Sequence, residues 1–86
     1  MTTWRKLITI SLLENKESWD DVISICPEKE DWLDYLFDDD YGKIEGNSFT
    51  LWTKNNVYFP VCYDGGEWVG SVSRNPNGKT TVHMGG

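Results

Sequence analysis

The stretch Phe49–Val72, FTLWTKNNVYFPVCYDGGEWVGSV, holds half of the aromatic side chains of an 86-residue chain, and its reading decides the fold. From Ser48 onward apolar residues recur with a period of two, as half-buried strands require. Asn55-Asn56 and Gly65-Gly66 each suit a two-residue hairpin turn with positive φ. Together they predict three antiparallel strands over roughly residues 48–54, 57–63 and 67–74. The first turn sets Trp52 opposite Phe59, and the second sets Tyr63 opposite Trp68. One face thereby collects Trp52, Val57, Phe59, Val61, Tyr63, Trp68 and Val72. Moving the second turn to Asp64-Gly65 leaves these residues together, because any even loop keeps the parity. The opposite face carries Phe49, Leu51, Tyr58, Pro60, Cys62 and Val69 among Thr53, Glu67, Ser71 and Ser73. Pro60 cannot donate to a ladder, which predicts a bulge, a break or an edge position there.

Working outward, the first 37 residues read as helices. Thr3 is an N-cap, after which Trp4, Leu7, Ile8 and Leu12 form one helical stripe. Ser18 repeats the device, with Trp19, Val22, Ile23 and Cys26 behind it and Asp20 and Asp21 in the first turn, where the helix dipole favours negative charge. TWRKLITIS and SWDDVISIC thus predict two similar amphipathic helices. Pro27 ends the second or opens a third carrying Trp32, Leu33, Leu36 and Phe37. The turn formers of DDDYGKIEGN mark the boundary. The expectation is a single α+β domain over residues 1–86, with two or three N-terminal helices packed on a three-stranded antiparallel β-meander. Residues 1–37 form its helical part, 38–47 an acidic, glycine-containing loop, 48–74 the sheet and 75–86 a C-terminal tail. The helices are expected to cover the Trp52 face, burying Trp4, Trp19, Trp52, Phe59 and Trp68 in one cluster. Phe49, Leu51, Tyr58 and Val69 are then left as an open apolar patch of the kind that marks a partner or dimer surface.

Net charge is −6, but it is unevenly placed. Between Glu14 and Glu45 twelve acidic residues face three lysines, whereas the rest of the chain carries five basic residues and two acidic ones. A field of this sign repels phosphate backbones and argues against direct nucleic-acid binding. Two cysteines are far from the density of a disulfide scaffold, so reduced thiols and a cytoplasmic location are expected. No apolar run approaches the roughly 20 residues a membrane span needs, and the N-terminal stretch lacks a small-residue cleavage site.

Catalysis has little to stand on in the sequence. The single histidine, His83, lies beside the end of the chain, where nothing positions a general base. Neither Cys26 nor Cys62 has a neighbour at metal-ligand spacing. Counted from Asp38, the calcium-loop template requires glycine at Lys43 and glutamate at Phe49, so it fails twice. The terminal Gly85-Gly86 reads as a flexible end. No catalytic residue, metal or cofactor is expected.

The residues FT-W-T, VYFP, YDG, EW, RNP and H-GG, with SWDDV near the start, resemble a family of small uncharacterised proteins encoded by bacteriophages and prophages. The likeness runs over most of the chain and is weakest between Ile25 and Tyr41. Ser73 stands where the family pattern has proline. The resemblance implies phage origin and action inside a host cell, and assigns no activity. Joined to the residues, it leads to a non-catalytic protein that binds a host protein and modulates or inhibits it. Asp20, Asp21, Asp34 and Asp38 would steer the approach to a basic, nucleic-acid-binding target, and Phe49, Leu51, Tyr58 and Val69 would anchor it. The alternative is a self-associating accessory protein in which the apolar face closes a homodimer.

Overall fold

The computed structural model describes residues 1–40 and 44–84. It contains one α-helix among the described residues, α1 (Trp4–Glu14), and four strands, β1 (Val22–Cys26), β2 (Thr50–Thr53), β3 (Asn56–Tyr63) and β4 (Gly66–Ser73). The strands form one antiparallel sheet in the order β1-β2-β3-β4. The α+β architecture is as expected. Its content differs, with one helix in place of two or three and four strands in place of three.

Helix α1 follows its sequence signals. Thr3 accepts a hydrogen bond from the Lys6 amide at 3.2 Å, and the stripe of Trp4, Ile8 and Leu12 is buried. Lys16 ends the helix at φ 60°, which lets the Glu17 amide donate to the Leu12 carbonyl at 2.8 Å.

The second expected helix is absent. Ser18 does cap, and Ser18 and Asp21 form a reciprocal capping box, but the turn they open is a single 3-10 turn, Trp19–Asp21. The chain then enters β1, paired with β2 through Val22↔Thr53, Ser24↔Trp52, Ile25↔Leu51 and Cys26↔Thr50. A register shift between Val22 and Ser24 makes Ile23 an extra residue, so Val22 and Ile25 both pack against the core. A three-residue apolar spacing that reads as a helix is here produced by a bulged strand rich in β-branched residues.

The third expected helix is also a 3-10 turn, Glu30–Asp34, reached through a cis Cys26–Pro27 bond. It buries Trp32 and Leu33, and the Trp32 indole donates to the Pro27 carbonyl at 3.1 Å. Phe37 then pairs with Thr2 in a short bridge, Thr2 N–H to Phe37 O at 2.9 Å and Phe37 N–H to Thr2 O at 3.0 Å.

The meander has the expected two turns, each moved one residue back. Pairing of Trp52 with Val57 and of Tyr63 with Gly66 places the turns at Lys54-Asn55 and Asp64-Gly65. Parity survives, and the two faces keep the residues the sequence assigned to them. The side on which α1 packs is the reverse of the expectation. Phe49, Leu51 and Tyr58 are buried in the core with Trp4, Ile8, Leu12, Trp32, Leu33 and Phe37, and Val69 packs against them. The ring centroids of Trp4 lie 4.9 Å from those of both Phe37 and Phe49, and Trp32 stacks on Phe49 at 5.3 Å. Trp4 and Trp19 belong to this side, while Trp52, Phe59 and Trp68 face away from it. Two things select the face. Strand β1 adds apolar Val22 and Ile25 to the core side but only Ser24 and Cys26 to the other, and the polar groups of the core side find partners there.

Those partners are specific. The Glu67 carboxylate is buried and accepts from the Glu45 and Gly46 amides at 2.9 and 3.0 Å. Thr53 accepts from the Asn55 and Asn56 amides at 3.3 and 2.9 Å and so closes the first turn. Pro60 lies opposite Val69 in a continuous β3–β4 ladder, while the β2–β3 pairing ends at Leu51↔Tyr58, so on its other side Pro60 holds one of the expected positions, an unpaired edge. The expected acidic loop includes residues 41–43, and the tail includes Gly85-Gly86; both groups lie outside the described residues.

Candidate interaction surface

Strand alternation places twelve residues, Gly66 of β4 among them, on the side of the sheet facing away from α1. β1 supplies Ser24 and Cys26, and β2 supplies Thr50 and Trp52. Val57, Phe59, Val61 and Tyr63 come from β3, and Trp68, Gly70 and Val72 from β4. None of these side chains carries a charge at neutral pH. Tyr63 is 56 % exposed, Trp68 39 % and Val72 38 %, with Trp52, Val57 and Phe59 half-buried among them. The cross-strand pairs Trp52–Val57, Val57–Val72 and Val61–Trp68 make the patch continuous across β2, β3 and β4.

Gly70 shapes the middle of this face. A Cβ built there would lie 2.7 Å from the Met84 sulfur, 2.7 Å from a Val61 methyl and 2.8 Å from the Phe59 ring. The missing side chain is the space into which Met84 fits, so the tail residue completes the apolar surface. The tail passes the β4 edge beside α1, where Val82, His83 and Met84 line a shallow groove with Ser11, Glu14, Asn15 and Trp68.

The charges sit at the ends of the sheet. One end holds exposed Lys54 in the β2–β3 turn and Arg74 after β4, with Lys79 in the segment that folds back beside Val72. The opposite end holds exposed Asp64 in the β3–β4 turn. There the Asp39 carbonyl accepts from the Glu67 amide at 2.8 Å, and Asp40 bridges to Gly66.

The anchors expected from the sequence are corrected by this arrangement. Leu51 and Tyr58 are fully buried, Phe49 is 5 % exposed and Val69 is packed under α1, so none presents an open surface. The four steering carboxylates are exposed or nearly so, but they occupy separate places. Asp20 and Asp21 precede β1, and Asp21 is held by the Ser18 amide at 2.9 Å. Asp34 makes a two-pronged ion pair with Arg5, at 2.8 and 3.0 Å. Those hydrogen bonds hold its carboxyl below the usual range and the guanidinium above its own. Asp38 accepts from the Asp40 amide at 3.0 Å.

One polar cluster had no signal in the sequence. Glu17, 7 % exposed, accepts hydrogen bonds from the Tyr58 hydroxyl and from the Asn56 side-chain Nδ2, the latter at 3.0 Å. Asn15 donates to the same hydroxyl and to Ser71, both at 3.1 Å. Burial, then the bond to Glu17, pushes the Tyr58 phenol well above its ordinary value. The second Glu17 oxygen has no hydrogen-bond partner among the described residues. The cluster ties the end of α1 to β3 and β4 inside the core. Among the described residues, no group of three or more His, Cys, Asp or Glu side chains could hold a metal ion, both cysteines are free, and no helix is long and apolar enough to cross a membrane. Compared with family models, curated proteins and solved structures, the chain matches none.

Proposed function

We propose that the chain is a non-catalytic binding protein that acts by docking on another polypeptide, with the open sheet face as its apolar interaction surface. In the setting implied by the phage resemblance, its target is a host protein that it modulates or inhibits, and its acidic side steers it toward a basic one. The observation that carries this reading is the charge-free face of Trp52, Phe59, Tyr63, Trp68 and Val72, because a small protein with net charge −6 rarely leaves such a patch uncovered. Exposed tryptophan and tyrosine on a rigid strand are also the side chains that carry most binding energy at interfaces. The test is Trp68→Asp, which places a charge on the open face without touching the core. It should keep the folded circular dichroism spectrum and lose every protein complex the native chain forms. A variant that folds and retains its complexes would refute the assignment of this face.

A further inference from the structure

We infer that the groove between α1 and the outer edge of β4 is a strand-addition site, taking an extended segment of a partner polypeptide in which a basic and an apolar side chain alternate with one residue between them. The site is an edge of the sheet, so the inference goes beyond the docking role of the open face and does not depend on it.

Backbone parity shows what the edge offers. β4 has β3 as its neighbour on one side, and the Glu67 amide points to the other, donating to the Asp39 carbonyl at 2.8 Å. The Arg74 amide points inward, to the Asn55 carbonyl at 2.9 Å. Bonds alternate along an antiparallel ladder, so Trp68, Gly70 and Val72 bond to β3, while Val69, Ser71 and Ser73 turn their N–H and C=O groups outward. Among the described residues no backbone hydrogen bond reaches those three from outside. The space beside β4 is already used as a strand position at its start, where Asp40 bridges antiparallel to Gly66. Phe37, just before it, pairs instead with Thr2, and the rest of the edge is left open.

Helix α1 supplies the wall and the chemistry. Leu7, Ile10, Ser11 and Glu14 line the groove with Trp68 and Val69, and Ile10 is exposed there. Val69 and Ser71 have their side chains on the α1 side, the latter bonded to Asn15 at 3.1 Å. A residue added opposite Val69 shares that side and lies against Leu7 and Ile10, and one opposite Ser71 lies beside Glu14. Glu14 is the one carboxylate lining this groove among the described residues, and the Arg74 guanidinium is turned inward to the Thr53 carbonyl at 2.8 Å. An apolar side chain therefore suits the first place and a basic one the second.

The chain's own tail is the cover of this site. Val82, His83 and Met84 lie beside Trp68, Val69, Gly70 and Ser71, yet they form no ladder with β4, and Val82 is exposed. Met84 holds them, with its sulfur in the space left by Gly70. A segment that gains the free bonds of Val69 and Ser71 makes contacts the tail does not, and so displaces it.

The probe is a short acetylated and amidated peptide with lysine, valine and leucine in that order between threonines, titrated into the full chain and followed by NMR. Antiparallel addition sets its lysine opposite Ser71 and its leucine opposite Val69. Saturating peptide should slow amide exchange of Val69 and Ser71 about tenfold, leaving Gly70 and Val72, already bonded to β3, unchanged. N-methylation of the peptide's lysine and leucine, whose N–H groups face β4, should abolish binding, and N-methylation of the valine between them should leave it intact. Glu14→Lys should weaken binding about tenfold, and Met84→Asp, which frees the tail, should strengthen it about threefold. Tyr63→Lys, on the open face, should change nothing. The inference is overturned if the peptide at millimolar concentration binds neither the native chain nor Met84→Asp, or if methylating the valine is as damaging as methylating its neighbours. Loss of binding in Tyr63→Lys overturns it as well, and in that case the peptide has found the open face, whose docking role stands.

Discussion

Glu17 and Tyr58 are 41 positions apart, yet their contact decides how the end of α1 is held on the sheet. Removing the hydroxyl by Tyr58→Phe leaves a buried carboxylate with one bond fewer, and the expected loss is about 1–3 kcal/mol in chemical denaturation. The same residue makes stability sensitive to alkali. A phenol whose folded-state value is raised contributes in full below its unfolded value, near pH 10, and that contribution disappears as pH climbs through the higher folded value. Stability of the native chain should therefore fall above about pH 10, and Tyr58→Phe should flatten the fall. Gly46 is a second residue whose role only contacts disclose. A Cβ there would come within 2.7 Å of the Trp4 ring and 2.8 Å of the Glu67 carboxylate, so Gly46→Ala should cost about 1–3 kcal/mol by pushing on the core and on that carboxylate together. Neither position announces itself in the sequence, where one is an acidic residue after a helix and the other a loop glycine.

At the scale of elements, the two faces of the sheet differ in what truncation should do. Leu51 is fully buried beneath α1, and Leu51→Ala should cost about 2–5 kcal/mol. Phe59, half-buried on the open face, should lose less on Phe59→Ala despite its larger side chain, and Val72→Ala should lose under about 1 kcal/mol. Urea denaturation of the three variants at a concentration where the chain is monomeric gives the order directly. Leu51→Asp should unfold the domain where Trp68→Asp does not. β1 explains why that order is the reverse of what aromatic content suggests. Its bulge at Ile23 turns Val22 and Ile25 to one side, and the less aromatic face of β2–β4 becomes the better apolar partner for α1 once those residues are added.

For the whole molecule, charge and apolar surface occupy different places, and they are expected to act on different quantities. The exposed carboxylates should set how fast a basic partner arrives, so its association rate should fall as salt rises while its dissociation rate changes little. Stopped-flow binding over a range of ionic strength separates the two. Asp20→Lys is the cleanest single reversal for that experiment, because Asp21 belongs to the capping box and Asp34 to the Arg5 ion pair, where reversal would also disturb the fold.

The local half of this structure was legible. The Thr3 cap, the Trp4–Ile8–Leu12 stripe, the cap at Ser18 and the division of Phe49–Val72 into two faces all depend on residues within a few positions of one another. The division into faces survived a one-residue error in both turns, because moving a turn by one residue shifts the pairing by two; the partners themselves changed, with Trp52 opposite Val57 and Tyr63 opposite Gly66. What tertiary structure decided was which face is inside. That choice depends on β1, and whether SWDDVISIC becomes a helix or a turn and strand depends on a ladder to Thr50–Thr53, some 25 residues later. The expected site moved with it. Phe49, Leu51, Tyr58 and Val69 form one face by alternation alone, but only packing against α1 and the partners of Tyr58 and Glu67 made that face the core and left Trp52, Phe59 and Trp68 to solvent.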